Sequence, residues 1–410
     1  MNPIIIIGAG LAGYTLAREL RKLDKAVPLM IVTADDGGFY SKPMLSNAFA
    51  QNKQAAQLVS QTAEQMAAQI DAQVLANTRV NAIDTAAKVI DTTAGRFDYE
   101  QLVLAVGAQA IRLPLAGDAA HEVLSVNHVS DYAVFRQQVT AISGLVSDSN
   151  DKPSAQHVRV AILGAGLIGC EFADDLRGAG HAVTLIDPNP LPLAALATPA
   201  LSAGLQTALE ARGIALRLGT TAARIDRIDH DMEGLQLTLA DGSALRADIV
   251  LSAVGLRPDL TLAKAAQLTT GRGIVIDATG RTSAPHVYAL GDCAEYAAEE
   301  GGLGNTRILP YIAPLMAAAR AIARTLTGQL TTIDLKPSPV LVKTPSYPLA
   351  LVPPPQHTVA AGRWEHEQEG PRTISRFYDA QGVMQGFGVA PQESVVRQGL
   401  LAQLGKVAVA

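Results

Sequence analysis

Residues 4–13 read IIIIGAGLAG and residues 160–169 read VAILGAGLIG. Each copy is an aliphatic run, a Gly-x-Gly-x-x-Gly turn and the opening of a helical pattern. The copies are offset by 156 residues, too long for a solenoid period and about the length of a domain. Few folds accept such a unit. The run has to be a strand buried on both faces, and the turn has to pass straight into a helix, which begins a doubly wound parallel sheet. The chain therefore reads as α/β, with two Rossmann-like nucleotide-binding domains and a smaller C-terminal α+β domain.

The glycines have separate jobs. Gly8 and Gly164 allow the tight turn, Gly10 and Gly166 let backbone approach a pyrophosphate, and Gly13 and Gly169 let helix and strand pack closely. The phosphates then sit at a helix N-terminus, where unpaired N–H groups favour an anion. The second strand of such a unit commonly ends in an acid for a ribose hydroxyl. Asp187 stands there in the second copy, 18 residues after Gly169, and favours NAD over NADP because a 2′-phosphate would face its carboxylate. The first copy has Thr33 instead, with Asp35 and Asp36 just beyond, so ribose contact falls to Thr33 or to Asp35. Glu171 lies two residues after Gly169, in the expected first turn of the second helix. There it suits the helix dipole or stands beside an incoming nicotinamide. Gly291-Asp292 follows an apolar strand and offers a carboxylate to a polyol. Lys42 and Lys343 are each followed closely by proline, which either fixes a lysine in place or marks an ordinary surface residue.

Composition narrows the alternatives. Hydrophobic residues make up 48% of the chain and charged ones 17%, too apolar for a disordered chain. The net charge of −5 argues against nucleic acid as the main partner. The two cysteines, Cys170 and Cys293, are 123 residues apart. They exclude a disulfide framework, a four-thiolate metal site and a closely spaced dithiol relay. The eight histidines show neither metal-ligand spacing nor a Ser/His/Asp elbow. Met1–Ile7 reads as a strand, not a signal peptide. The longest apolar run elsewhere, 309–319, is far short of the ~20 residues that span a bilayer. We expect a cytoplasmic protein without membrane insertion, with a monomer favoured.

Further strands are expected at 102–106, 249–254 and 287–290. Two stretches, 143–156 and 297–306, read as surface loops. Beyond about residue 330 prolines accumulate. Strand candidates at 362–367, 373–378 and 386–389 follow, with a hairpin connection at 379–382.

The motifs join in one order: the first glycine turn, LVLAVG (102–107), the second turn with Glu171, GLRP (255–258) and TSAPHVYALGD (282–292). That order resembles the pyridine-nucleotide-dependent flavoprotein reductases with two dinucleotide-binding domains, over about residues 1–330. Ferredoxin reductases of oxygenase systems usually carry an arginine before the proline of the 39–46 motif and a lysine soon after its Leu-Ser. Lys42 and Asn47 stand there instead. TADDGGFYSKPMLS, LGAGLIGCEFADDL and LVKTPSYPLALVPPP closely resemble the rubredoxin–NAD reductases of alkane-degrading bacteria and carry the likeness into the C-terminal domain. Residues 143–156 and 297–306 look like insertions in that pattern.

The resemblance implies a discontinuous FAD domain (1–112 plus 252–328), an NAD domain (113–251) and a C-terminal domain (329–410). FAD contacts would come from Gly8, Ala9, Gly10, Leu11, Ala12, Gly13, Thr33, Ala34, Lys42, Val80, Ala105, Gly107, Asp292 and Lys343. NADH would bind at Gly164, Gly166, Gly169, Glu171, Asp187 and Gly255. The implied catalytic set is Lys42, paired with Glu171 beside the flavin, and Lys343, offsetting negative charge on the reduced ring. The implied reaction passes a hydride from NADH to FAD and single electrons to rubredoxin, feeding an alkane hydroxylase-type system. Alternatives are a ferredoxin or flavorubredoxin reductase, or a non-catalytic sensor that binds flavin and NADH. Because rubredoxins are acidic, a basic patch near the flavin edge is expected.

Overall fold

A computed structural model describes residues 2–145, 158–228, 234–296 and 307–407. Most of 143–156 and all of 297–306 lie outside the described residues. The chain packs as two compact units. The first is Met1–Lys42, Ala56–Gln109 and Leu256–Lys336, and the second is Pro43–Ala55, Ala110–Gly255 and Pro337–Ala410. Pro43–Ala55, inside the segment expected to belong to the FAD domain, thus packs with the second unit.

In the first unit five parallel strands run in the order Val287–Ala289, Gln101–Leu104, Ile4–Ile7, Leu29–Val32, Gln73–Leu75. The central strand, IIII, is buried along its whole length, as β-branched residues covered on both faces should be. Helix Leu11–Leu23 follows the turn and packs on the alanine-rich helix Ile312–Leu326. An antiparallel three-stranded sheet spans residues 80–98.

The second unit repeats this frame. Its parallel order is Leu124–Ser125, Ile249–Ser252, Arg159–Leu163, Ala182–Asp187, Ala215–Leu218. Helix Leu167–Gly178 follows the second turn. In both sheets the turn leaves a central strand flanked by the next strand and by a later one. That is the switch point where doubly wound folds bind ligands. The unit ends in a five-stranded antiparallel sheet, ordered Val340–Val342, Leu349–Val352, Met384–Ala390, Arg372–Tyr378, Arg363–Glu369. Ala350, Val352, Ile374, Phe387, Val389 and Leu400 give that sheet a core of its own. The hairpin expected at 379–382 closes through bonds from Asp379 N to Val383 O and from Gly382 N to Asp379 O, both 3.0 Å.

Candidate functional site: two glycine turns and an acidic helix face

Two of the three glycines in each turn are forced by the backbone. Gly8 has φ +112° and Gly164 φ +104°, a region costly for residues with a Cβ. A Cβ at Gly13 would lie 2.0 Å from the Gly8 carbonyl oxygen, and one at Gly169 would lie 1.9 Å from that of Gly164. Gly10 and Gly166 differ in kind. A Cβ there meets nothing within 4 Å, so protein packing does not demand glycine. Both are helix N-caps in extended conformation without a side-chain cap, which leaves N–H groups open to an anion. A dinucleotide pyrophosphate fits this cradle, because the space a side chain would fill is the space the phosphates need.

In the first unit the expected contact residues converge on one end of the sheet. Gly8 N donates to Val32 O at 2.8 Å, and Thr78 N donates to Thr33 O at 2.8 Å, while Val80 opens the strand Val80–Asp84 and is buried. The Ala105 carbonyl abuts Gly8, and Gly107 follows with φ +68°. Leu290 N donates to Leu104 O at 3.1 Å, and a Cβ on Gly291 would lie 3.0 Å from Ala12. Asp292 therefore sits at the mouth of the same turn. Ala9 and Ala12 are buried and Leu11 partly so, while Ala34 is exposed. The Thr33 hydroxyl donates to Asp35 Oδ1 at 2.6 Å, and Gly37 N donates to the same oxygen at 3.1 Å. Lys42 opens the 3-10 turn Lys42–Asn47 at the edge of this unit.

In the second unit Asp187 ends its strand, beside the turn, as expected. Its Oδ2 accepts from Ala165 N at 2.7 Å, and its Oδ1 accepts from Asn189 N and Nδ2, both at 2.8 Å. The acid thus ties down the middle of the glycine turn. Gly255 closes the neighbouring loop, where the Ala253 carbonyl stands against Gly164.

Glu171 corrects one expectation. The helix starts at Leu167 behind its Gly166 cap, so Glu171 lies beyond the first turn and the dipole does not account for it. It is fully buried. Ser46 Oγ donates to its Oε2 at 2.5 Å and Lys343 N donates to its Oε1 at 2.8 Å. Lys343 Nζ stands 3.5 Å from Oε2 and donates to the Pro43 carbonyl, while Asn47 Nδ2 donates to Lys343 O at 3.2 Å. Lys343 is therefore anchored by backbone and side chain. It is not the ordinary surface lysine that its sequence context left open.

Sequence reasoning missed the rest of this helix face. Glu171, Asp174 and Asp175 are all buried, and their i, i+3, i+4 spacing puts them on one side. Asp175 accepts from Phe49 N at 2.7 Å and Ala50 N at 3.1 Å. Asp174 Oδ2 accepts from Ser346 N at 2.8 Å and Oγ at 2.7 Å, and its Oδ1 is ion-paired with Arg212 at 2.8 Å. Burial pushes the Asp175 carboxyl up to about 6, aided by Asp174 and opposed by its two backbone donors and by Arg136. The helix after the second turn thus holds both the 43–50 and the 343–346 segments. The EFADD spacing was the available signal.

Both cysteines are buried free thiols, and burial raises both pKa values, that of Cys293 to about 11. Among the described residues no group of His, Cys, Asp and Glu is placed to hold a metal, and no helix is long and apolar enough to cross a membrane. On the C-terminal sheet Arg363, Arg372 and Arg376 each pair with glutamates.

Known proteins match this arrangement. A family model described as pyridine nucleotide-disulphide oxidoreductase matches residues 2–321, and one described as rubredoxin binding C-terminal domain matches residues 332–404. A rubredoxin-NAD(+) reductase of Alcanivorax borkumensis is 42% identical over 393 residues, 95% of each chain. One of Acinetobacter baylyi is 41% identical over 391 residues, 94% of this chain and 93% of that one. Among solved structures, a ferredoxin reductase from Rhodopseudomonas palustris shares the fold with a TM-score of 0.85 at 24% identity, covering 99% of this chain and 96% of that one.

Proposed function

The chain belongs to the pyridine nucleotide-disulphide oxidoreductase family, and from that premise we propose that it is an FAD-dependent reductase carrying electrons from NADH to rubredoxin. The observation that carries this reading is the C-terminal sheet. It has its own core, and its residues match the rubredoxin-binding domain. The buried, unpaired cysteines agree with it, because electrons that cannot pass through a dithiol must leave for an external acceptor.

FAD, when bound, takes two electrons from NADH as a hydride and gives them up singly, so one NADH reduces two one-iron acceptors and releases one proton. The protein's part is placement and charge. Gly8–Gly13 with Thr33, Ala105, Gly107 and Asp292 hold the flavin nucleotide, and Gly164–Gly169 with Asp187 and Gly255 hold NADH. The Asp187 carboxylate excludes a 2′-phosphate. We assign Lys343 and Lys42 as the cations that offset charge on reduced FAD, with Glu171 as their acidic counterpart.

The test is NADH oxidation by purified protein with cytochrome c as final acceptor, and with rubredoxin, a [2Fe–2S] ferredoxin, a flavorubredoxin or nothing added. Rubredoxin-dependent reduction is expected. Equal rates with nothing added, or preference for either other carrier, would overturn the reading. Lys42→Met should slow hydride transfer in stopped flow, and an unchanged rate and flavin spectrum would remove Lys42 from the assignment.

A further inference from the structure

The chain from Asp187 to Leu193 leaves its strand beside the second glycine turn and comes back to it. Two of its residues hold the same alanine of that turn. Asp187 Oδ2 accepts from Ala165 N at 2.7 Å, and Leu193 N donates to Ala165 O at 2.8 Å. The Cys170 thiol is a second, weaker donor to that carbonyl at 3.3 Å. Because a peptide unit is planar, each bond fixes a different plane. Asp187 fixes the one between Gly164 and Ala165, and Leu193 fixes the one between Ala165 and Gly166. Holding the Ala165 carbonyl therefore also sets the direction of the N–H of Gly166, the N-cap of helix Leu167–Gly178.

Leucine is an unusual residue for this task. Leu193 has φ +56°, left-handed backbone that glycine and asparagine adopt and that costs a leucine free energy. Its side chain is buried. Its own carbonyl accepts from Leu196 N at 2.8 Å and from Ala197 N at 2.9 Å, just ahead of helix Pro199–Ala211. Both peptides that flank Leu193 are thus tied, one to the glycine turn and one to the approach of the next helix. A strained residue persists only where its surroundings hold it, and here they hold it against the turn.

We infer that Leu193 is a positioning residue for NADH. Its left-handed backbone fixes the Ala165–Gly166 peptide, and so the entry of the chain into the helix whose open N–H groups meet the pyrophosphate. This role rests on the placement of NADH at the second turn. It belongs to the amide and the φ of residue 193 and not to the apolar side chain.

The experiment compares Leu193→Gly, Leu193→Asn and Leu193→Val in the FAD-loaded protein. Calorimetric titration with NAD+ gives the dissociation constant without reducing the flavin, and NADH oxidation by ferricyanide gives KM and kcat. Flavin content and thermal stability are measured beside them. Glycine and asparagine accept the φ of Leu193 and keep the N–H on Ala165, whereas β-branched valine resists it and withdraws the N–H. Leu193→Val should raise the NAD+ dissociation constant and the NADH KM about tenfold, near the loss of one buried hydrogen bond, with flavin content and kcat kept. Leu193→Gly and Leu193→Asn should stay within about twofold of wild type, even where the lost side chain lowers thermal stability. A packing role reverses this order, because valine keeps most of the apolar volume and glycine keeps none. Glycine and asparagine variants as weak as the valine one would overturn the inference, as would an unmoved Leu193→Val. Wild type that binds no NAD+ would instead remove the placement of NADH itself.

Discussion

The turn at Gly8–Gly13 and the turn at Gly164–Gly169 have the same backbone and different surroundings. Their caps share nearly one conformation, φ −76° and ψ −171° at Gly10 against φ −74° and ψ −171° at Gly166. Strand register makes the alignment explicit. Ile7 pairs with Val32 and Leu163 with Ile186, so Thr33 and Asp187 occupy equivalent positions. Beyond the turn the helices diverge. Thr15, Arg18 and Glu19 of the first helix stand where Glu171, Asp174 and Asp175 stand in the second. Arg18 bonds Gln61 at 2.9 Å and lies over the Phe39 ring at 4.4 Å. The second helix instead uses its carboxylates to hold two remote chain segments. Steric overlap fixes the turn, so the turn is shared. The exposed or buried character of the helix face is free to vary, and there the two copies specialise.

The hardest test of the shared part is Gly169→Ala against Gly13→Ala. Each drives a Cβ to about 2 Å from a carbonyl oxygen, so each should distort its own turn by several kcal/mol. Gly169→Ala should abolish NADH binding and leave FAD content near normal. Gly13→Ala should yield protein without flavin. Flavin absorbance and NADH titration separate the outcomes, and loss of both ligands in either variant would break the idea of two independent sites. Gly166→Ala has open space around it, so it should fold normally and still weaken NADH binding.

The specialised part is tested by pH. Asp175 has its folded pKa raised from 3.8 to about 6. Between these values the folded protein holds a proton that the unfolded chain has lost. The stability this confers is present at low pH and is lost as pH rises through about 6, a change of about 3 kcal/mol. Urea unfolding of wild type and Asp175→Asn at pH 4.5 and 7.5 captures about 2 kcal/mol of it, the rest being lost below pH 4.5. Wild type should lose stability relative to the variant at the higher pH, and a constant difference would show that Asp175 does not titrate in that window.

The fold was legible because its constraints are local. A β-branched run, three glycines at fixed spacing and an acid at a strand end each report on their own surroundings. The strand-end placements of Asp187 and Asp292 were found that way. The ring around Glu171 was not, because Ser46, Glu171 and Lys343 are brought together from three distant parts of the chain. No local pattern says that the serine hydroxyl meets the glutamate, or that Asn47 takes the Lys343 carbonyl. The helix start was misjudged by one turn for a related reason. The Gly166 cap leaves its N–H groups unmet by side chains, so no Ser, Thr or Asp marks the boundary.

The strand-end position gives the finer contrast. Asp187 ties down the turn through Ala165, and in the proposed function its carboxylate also meets ribose. Asp187→Asn should therefore weaken NADH binding about tenfold, near the cost of losing one charged hydrogen bond. At the equivalent position Thr33 spends its hydroxyl on Asp35, which is exposed and held a second time by Gly37. Thr33→Val keeps the shape and removes one donor to a carboxylate that still has another. The FAD dissociation constant, measured by flavin release in dilution, should then rise about threefold or less. A Thr33→Val effect as large as that of Asp187→Asn would mean that the threonine itself carries the ribose contact. The two strand ends would then be equivalent in function despite their different chemistry.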